Sequence, residues 1–334
     1  MRATLILFAL PVLCAQDQSR VFHLHHMETA QDLNEFATMV RTVSDVHELS
    51  TDAAQKTMSV KGTASQIAIA EFLFTELDRQ TVPDSVSQEF RVSNNADDVV
   101  HLFFLPHTAT VKDFQEVATT VRTVADIRRV FTYNSPRALA VRGTAEQVAA
   151  AEFLVHELDQ AADAKRADSR LYHMVDTSRE AATAVRVFYL PYTSTVNQFQ
   201  EVATVVRVVG EIRRVFTYNG PKALIVRGTP DQVALAGWMV QELGKPVTAG
   251  TASPVYTYPD VFNDGENKVR VFYVADAPTV QAFQQIATQI RTATKIRRVF
   301  TYNASNAMAV RGTDAQLAQA QQMLADRTRQ VASK

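Results

Sequence analysis

The sequence predicts an α+β protein of four tandem βαββα modules, each a small sheet with two helices packed on one face. Three observations predict it. A stretch reading IRRVFTYNSPRALAVRGTAEQ from Ile127 returns as IRRVFTYNGPKALIVRGTPDQ from Ile212 and as IRRVFTYNASNAMAVRGTDAQ from Ile296, with a diverged copy, VHELSTDAAQKTMSVKGTASQ, from Val46. The copies are offset by 81, 85 and 84 residues, longer than the roughly 20 to 50 residues of solenoid repeats, so each unit is expected to own a small core. Within every copy, alternating apolar residues run into Gly-Thr, and a Gln follows three residues after that Thr, the mark of a strand handing over to a capped helix.

The elements of one unit follow in order. Each opens on an apolar strand in which Phe22, Phe103, Phe188 and Phe272 are equivalent, with Leu24, Leu105, Leu190 and Val274 two residues on, a spacing that places both on one face. Thr29, Thr110, Thr195 and Thr279 then stand where a hydroxyl caps the free N–H groups of a helix start. In the second unit Val111, Phe114, Val117, Ala118 and Val121 make one apolar stripe on that helix. The recurring stretch reads as a hairpin, with a turn at Asn134-Ser135-Pro136, Asn219-Gly220 and Asn303-Ala304, since Asn tolerates positive φ. Leu139 and Val141 alternate with Ala138, Ala140 and Arg142, which predicts one buried and one wet face. The second helix starts at Thr63, Thr144, Thr229 and Thr313, each with its capping-box Gln66, Gln147, Gln232 or Gln316.

The expected boundaries are modules at 16–80, 99–160, 185–245 and 269–334, with linkers at 81–98, 161–184 and 246–268. Each linker holds a short alternating run, at 89–92, 171–175 and 255–258, expected as an extra strand at a sheet edge, because long structureless loops are uncommon in compact arrays. Residues 1–15, with Arg2 before an apolar run and Ala15 before Gln16, read as a secretory signal peptide; acylation of Cys14 is disfavoured by Leu13 before it. Cys14 is the one cysteine, so a disulfide framework or Cys-based metal site in the mature chain is excluded. A formal net charge of −1 and pI near 6.7 argue against a nucleic-acid partner, and the GXXG loop of a KH module is missing.

The order strand, helix, hairpin, helix, with Leu105 closing a strand, Asn134 at the turn, 139–144 running into Gly-Thr and a helix ending at Glu157-Leu158-Asp159, resembles the periplasmic N-terminal domains of secretins (N1/NolW-like). The resemblance implies a compact module that contacts like modules in a ring or stack, a partner such as a secretin or another envelope protein, and a periplasmic or outer-membrane-associated location with no transmembrane segment in the mature chain. It does not imply a pore, because the Gly-rich, β-rich pore domain has no counterpart among these 334 residues with 10 Gly. The function so implied is a non-enzymatic exported scaffold or interaction protein, an accessory of a secretin-like secretion or pilus assembly.

No repeating catalytic constellation, metal site or cofactor site is legible. His23, His25 and His26 are the nearest to a metal cluster, but they do not recur, and a surface coincidence is favoured. Arg128, Arg129 and Arg142 do recur, as Arg213, Arg214, Arg227 and as Arg297, Arg298, Arg311. This basic face reads first as a solvated, partly paired sheet face and second as a surface for an acidic partner or neighbouring subunit; charge reversal at Arg213, Arg214 and Arg227 is expected to leave folding nearly intact while weakening any self-association or acidic-partner contact. The hairpin tips Tyr133-Asn134, Tyr218-Asn219 and Tyr302-Asn303 leave open an alternative function, recognition of envelope glycan or peptide, against ordinary turn chemistry. Finally, Phe72, Phe153 and Trp238 lie on the second helix opposite its core stripe, where the fourth unit has Gln322. These aromatics are expected to bury against the following linker strand or the next unit.

Overall fold

The computed structural model describes residues 17–332 except 28, 80–87, 93–97, 135, 136, 163, 177–180, 247, 260–264 and 276. The expected signal segment 1–15 and the turn residues Ser135 and Pro136 lie outside the described residues. The first repeat folds as β1 (Gln18–His23), α1 (Ala30–Ser44), β2 (Glu48–Asp52), β3 (Thr57–Gly62) and α2 (Ala64–Leu77). The second adds β4 (Gln88–Arg91), β5 (Val99–Phe104), α3 (Val111–Val124), β6 (Arg129–Tyr133), β7 (Ala138–Gly143) and α4 (Ala145–Leu158). The third comprises β8 (Tyr172–Asp176), β9 (Ala181–Tyr189), α5 (Val196–Gly210), β10 (Arg214–Tyr218), β11 (Ala223–Gly228) and α6 (Pro230–Leu243). The fourth comprises β12 (Tyr256–Thr257), β13 (Lys268–Tyr273), α7 (Val280–Thr294), β14 (Arg298–Tyr302), β15 (Ala307–Gly312) and α8 (Asp314–Ala332).

The class is α+β, with four small antiparallel sheets ordered β1-β3-β2, β4-β5-β7-β6, β8-β9-β11-β10 and β12-β13-β15-β14. The linker runs are strands: β4, β8 and β12 pair antiparallel with β5, β9 and β13 at one edge of their sheets. Helix starts follow the capping chemistry. Thr63 and Gln66, Thr144 and Gln147, Thr229 and Gln232, and Thr313 and Gln316 make the reciprocal box, satisfying N–H groups that the helix leaves unpaired.

Two compact units are present. The first holds the described residues of Met1–Pro106 and Ile127–Ala149, the second those of His107–Asp126 and Ala150–Lys334. In the first unit, α1 packs on its own β2 and also on β6 and β7. Phe36, Met39, Val40 and Val43 of α1 share one core with Val100, Leu102, Phe104, Tyr133, Ala138 and Ala140 of the next sheet. In the second unit α5 does the same to β14 and β15, and Val205 and Val209 share a core with Val269, Val271, Tyr302, Ala307 and Ala309. The expectation of a wet sheet face is therefore corrected: Ala138, Leu139, Ala140 and Val141 are all fully buried. Ala at 138 and 140 leaves room for a helix to approach, and burying that apolar surface is worth about 25 cal/mol per Å². The first sheet keeps an exposed face, with Val21 half exposed and Glu48, Ser50 and Asp52 exposed.

Candidate interaction surface: the junction between successive modules

The face between one repeat's helices and the next repeat's sheet gathers most of the recurring residues. Its first contact starts at a helix end. Asp45, Asp126, Glu211 and Lys295 follow α1, α3, α5 and α7 with left-handed backbone, at φ of 63°, 55°, 51° and 55°, a conformation that costs an L-residue roughly 1–2 kcal/mol. Three of the four are acids that use the position: it aims them past the helix end at arginines of the next sheet. Arg129 reaches Asp45 at 2.8 Å. Arg214 and Arg227 converge on Asp126 at 2.7 and 2.9 Å. Arg298 and Arg311 converge on Glu211 at 2.8 and 3.6 Å. Cross-strand register brings each arginine pair side by side: 129 opposite 142, 214 opposite 227, 298 opposite 311. Two adjacent cations need anions beside them: the end of the preceding helix supplies one shared acid to the second and third pairs, while in the first pair Asp45 takes Arg129 and Asp98 takes Arg142.

Arginines 142, 227 and 311 go deepest. Arg142 donates to the Val43 carbonyl and is held by Asp98; the shared hydrogen bond lowers the Asp98 pKa and raises that of Arg142. Arg227, 4 % exposed, donates to the Val124 carbonyl, and Arg311, 1 % exposed, donates to the Glu266 carbonyl with its guanidinium over the Tyr258 ring. The reading of this set as a solvated face is corrected for these residues, because the preceding helix covers the sheet. Arg128, Arg213 and Arg297, by contrast, are exposed, and Arg297 reaches Glu266 at 3.5 Å.

A second contact lies at the hairpin tips. The N–H and side-chain amide of Asn134 both donate to Glu35 at 3.3 Å, those of Asn219 to Glu116 at 3.0 and 3.2 Å, and those of Asn303 to Glu201 at 2.8 and 2.7 Å. Charge-assisted bonds of this kind are stronger than neutral ones. Tyr133, Tyr218 and Tyr302 are buried beside them, and burial raises all three phenol pKa values. The hairpin tips therefore do not present tyrosines to a glycan or peptide, which corrects that alternative: turns that look free in sequence are covered in space.

The third contact belongs to the second helix. Phe72 stacks on Phe90 of β4 with ring centroids 5.3 Å apart, Phe153 on Tyr172 of β8 at 4.7 Å, and Trp238 meets Tyr256 of β12 at 5.2 Å. The Tyr273 hydroxyl donates to the Glu242 carbonyl at 2.7 Å, and Tyr189 donates likewise to Glu157. The aromatics thus sit on the following linker strands.

Sequence reasoning missed the acidic partners Glu35, Glu116 and Glu201 and the helix-end acids Asp45, Asp126 and Glu211. Their signal was recurrence at the same offsets as the arginines, with Gln285 and Lys295 breaking it in the fourth repeat. His25 and His26 have another job: their N–H groups donate to Asp78 at 2.8–3.1 Å, as His107 does to Asp159, so the acid of the Glu-Leu-Asp helix end ties down the loop after the first strand. Among the described residues no three His, Cys, Asp or Glu are placed to hold a metal. A groove of about 550 Å³ beside α8, lined by Arg270, Phe272, Leu324, Arg327 and Arg329, has no described histidine or carboxylate in its lining.

No protein-family model matches the chain, and no curated protein sequence does. The chain is similar to solved secretin N-terminal domains. ExeD of Aeromonas hydrophila is 13% identical with a TM-score of 0.17, covering 69% of this chain and 42% of that one. The N-terminal domain of the secretin XcpQ from Pseudomonas aeruginosa is 13% identical with a TM-score of 0.19, over 43% of this chain and 63% of that one. The type II secretion system secretin GspD of E. coli K12 is 11% identical with a TM-score of 0.17, over 70% and 40%. This chain thus spans about two-fifths of the length of ExeD and GspD. No described helix is long and apolar enough to cross a membrane.

Proposed function

We propose that this protein is a non-enzymatic, exported interaction scaffold whose modules recognise like modules, an accessory of a secretin-type secretion or pilus assembly in the periplasm. The observation that carries this reading is the junction itself. Each of three helices carries an acid that reads an Asn, and ten residues on, just past the helix end, a second acid reads one arginine of the next sheet at the first junction and both arginines of the pair at the other two. Its chemistry is that of a binding face: a buried apolar floor with a few charge pairs at its rim. The sequence resemblance to secretin N-terminal domains names the kind of partner, a protein built from similar α+β modules.

The test is a binding measurement between the purified chain and the periplasmic domains of a secretin encoded in the same genome, with an unrelated envelope protein as control. Saturable binding to the secretin domains alone is expected, together with recovery of the protein from the periplasmic fraction. Equal binding to both proteins, or recovery from the cytoplasm with Met1 intact, overturns the proposal.

A further inference from the structure

Small sheets with free edges are templates for adding strands from other chains, and a module-binding protein at high local concentration is exposed to that hazard. The edge strands here are closed by recurring side chains. In β10 the carbonyl of Val215 points away from β11 and accepts from the Arg207 guanidinium at 2.9 Å. In β14 the Val299 carbonyl accepts from Arg291 at 2.8 Å, and in β2 the Leu49 carbonyl accepts from Arg41 at 3.3 Å. Two residues along the same edges, the Thr217 and Thr301 hydroxyls accept from Gln200 and Gln284 at 3.1 and 2.7 Å. Beyond them the outward N–H groups of Asn219 and Asn303 are taken by Glu116 and Glu201.

The opposite edge is blunted differently. Tyr172 pairs with Val185, but Ser169 donates to the Val187 carbonyl, so Arg170 and Leu171 together oppose Arg186 alone. The fourth repeat does the same: Tyr256 pairs with Val269 and Ser253 donates to Val271, leaving Pro254 and Val255 opposite Arg270. Each is a one-residue bulge, and Ser169 and Ser253 hold it by accepting the Val187 and Val271 N–H groups on their hydroxyls, both at 2.9 Å. The extra residues Leu171 and Val255 are exposed. Bulges break the flat edge that a new strand would need, and Pro254 has no N–H to offer.

We infer that Arg207 and Arg291, on one edge, and the serine-held bulges, on the other, bar strand addition to the third and fourth sheets, so that any partner of these repeats engages side-chain faces. The arginines act on the edge strand as caps, independently of which partner the protein has.

Replacing both by Met keeps the apolar stems and removes the donors. Arg207→Met with Arg291→Met is expected to raise the rate of thioflavin-positive, concentration-dependent assembly about fivefold, the ratio that one hydrogen bond of ordinary net strength represents, whereas Arg207→Lys with Arg291→Lys, which keeps a donor at each site, stays at the wild-type rate. A folded Met variant that assembles no faster than wild type overturns the inference. A measurement on the wild-type chain covers the case of a variant that does not fold. A labelled peptide with the sequence of Ala223–Gly228, the natural neighbour of β10, is expected to leave its anisotropy unchanged on titration, and saturable binding of it would overturn the inference equally.

Discussion

His101 shows how one side chain sets a pH response. It is 4 % exposed, its ring stacks on Phe103 with centroids 4.1 Å apart, and neither ring nitrogen has a hydrogen-bond partner among the described residues. Burial, against a weaker opposing pull from Glu89, lowers its pKa from 6.5 to about 4. The folded protein therefore holds the ring neutral while the unfolded chain binds a proton below pH 6.5. This contribution to stability is fully present above about pH 6.5 and is lost as pH falls toward 4, by on the order of 2–3 kcal/mol. Urea titrations across that range are expected to show a steeper loss for wild type than for His101→Phe; parallel curves would refute the assignment.

The left-handed helix ends give a paired prediction at the same scale. Glycine relieves the strain at both Lys295 and Asp126. Lys295 is exposed, so Lys295→Gly is expected to stabilise by about 1 kcal/mol. Asp126→Gly removes the anion between Arg214 and Arg227 and is expected to destabilise despite the same relief. Melting curves of the two variants should move in opposite directions.

At the scale of elements, the second helices and linker strands stabilise each other. Phe153, 7 % exposed, stacks on Tyr172 of β8, an edge strand that pairs on one side only, with β9. Phe153→Ala is expected to cost about 3 kcal/mol and to release β8, read as faster hydrogen exchange of its amides. Trp238 reports the equivalent place in the next repeat. Its fluorescence should lie to the blue of water-exposed tryptophan and shift red in Tyr256→Ala; an unshifted spectrum would mean that the two rings do not shield each other.

At the scale of the whole molecule, the charged lock counts only because it is laid over an apolar floor. Reading the basic face as solvated led to the expectation that charge reversal would be harmless. With Arg227 buried over Val124 and beside Asp126, Arg227→Glu is instead expected to cost at least about 3 kcal/mol, while Arg213→Glu, at an exposed position one residue before Arg214, changes stability by about half a kcal/mol or less. Comparable losses in chemical denaturation would show that the lock is not buried in solution.

The four repeats and the second-helix starts were legible from residues 46–66 and their copies, the first-helix starts from Thr29 and its equivalents, and the linker strands from the alternating runs at 89–92, 171–175 and 255–258, because capping boxes, alternation and turn chemistry act between residues a few positions apart. Phe72, Phe153 and Trp238 were legible as outward-facing aromatics for the same local reason. Tertiary structure alone decided what lies over the second sheet face. Glu35 and Asn134 are 99 residues apart in sequence, and Arg227 meets Asp126 across 101; no local period links them. An alternating strand with Ala and Arg on one side looks the same whether water or a helix covers it. Only the docking of one repeat on the next converts that face from a solvated surface into a core with a buried charge at its rim.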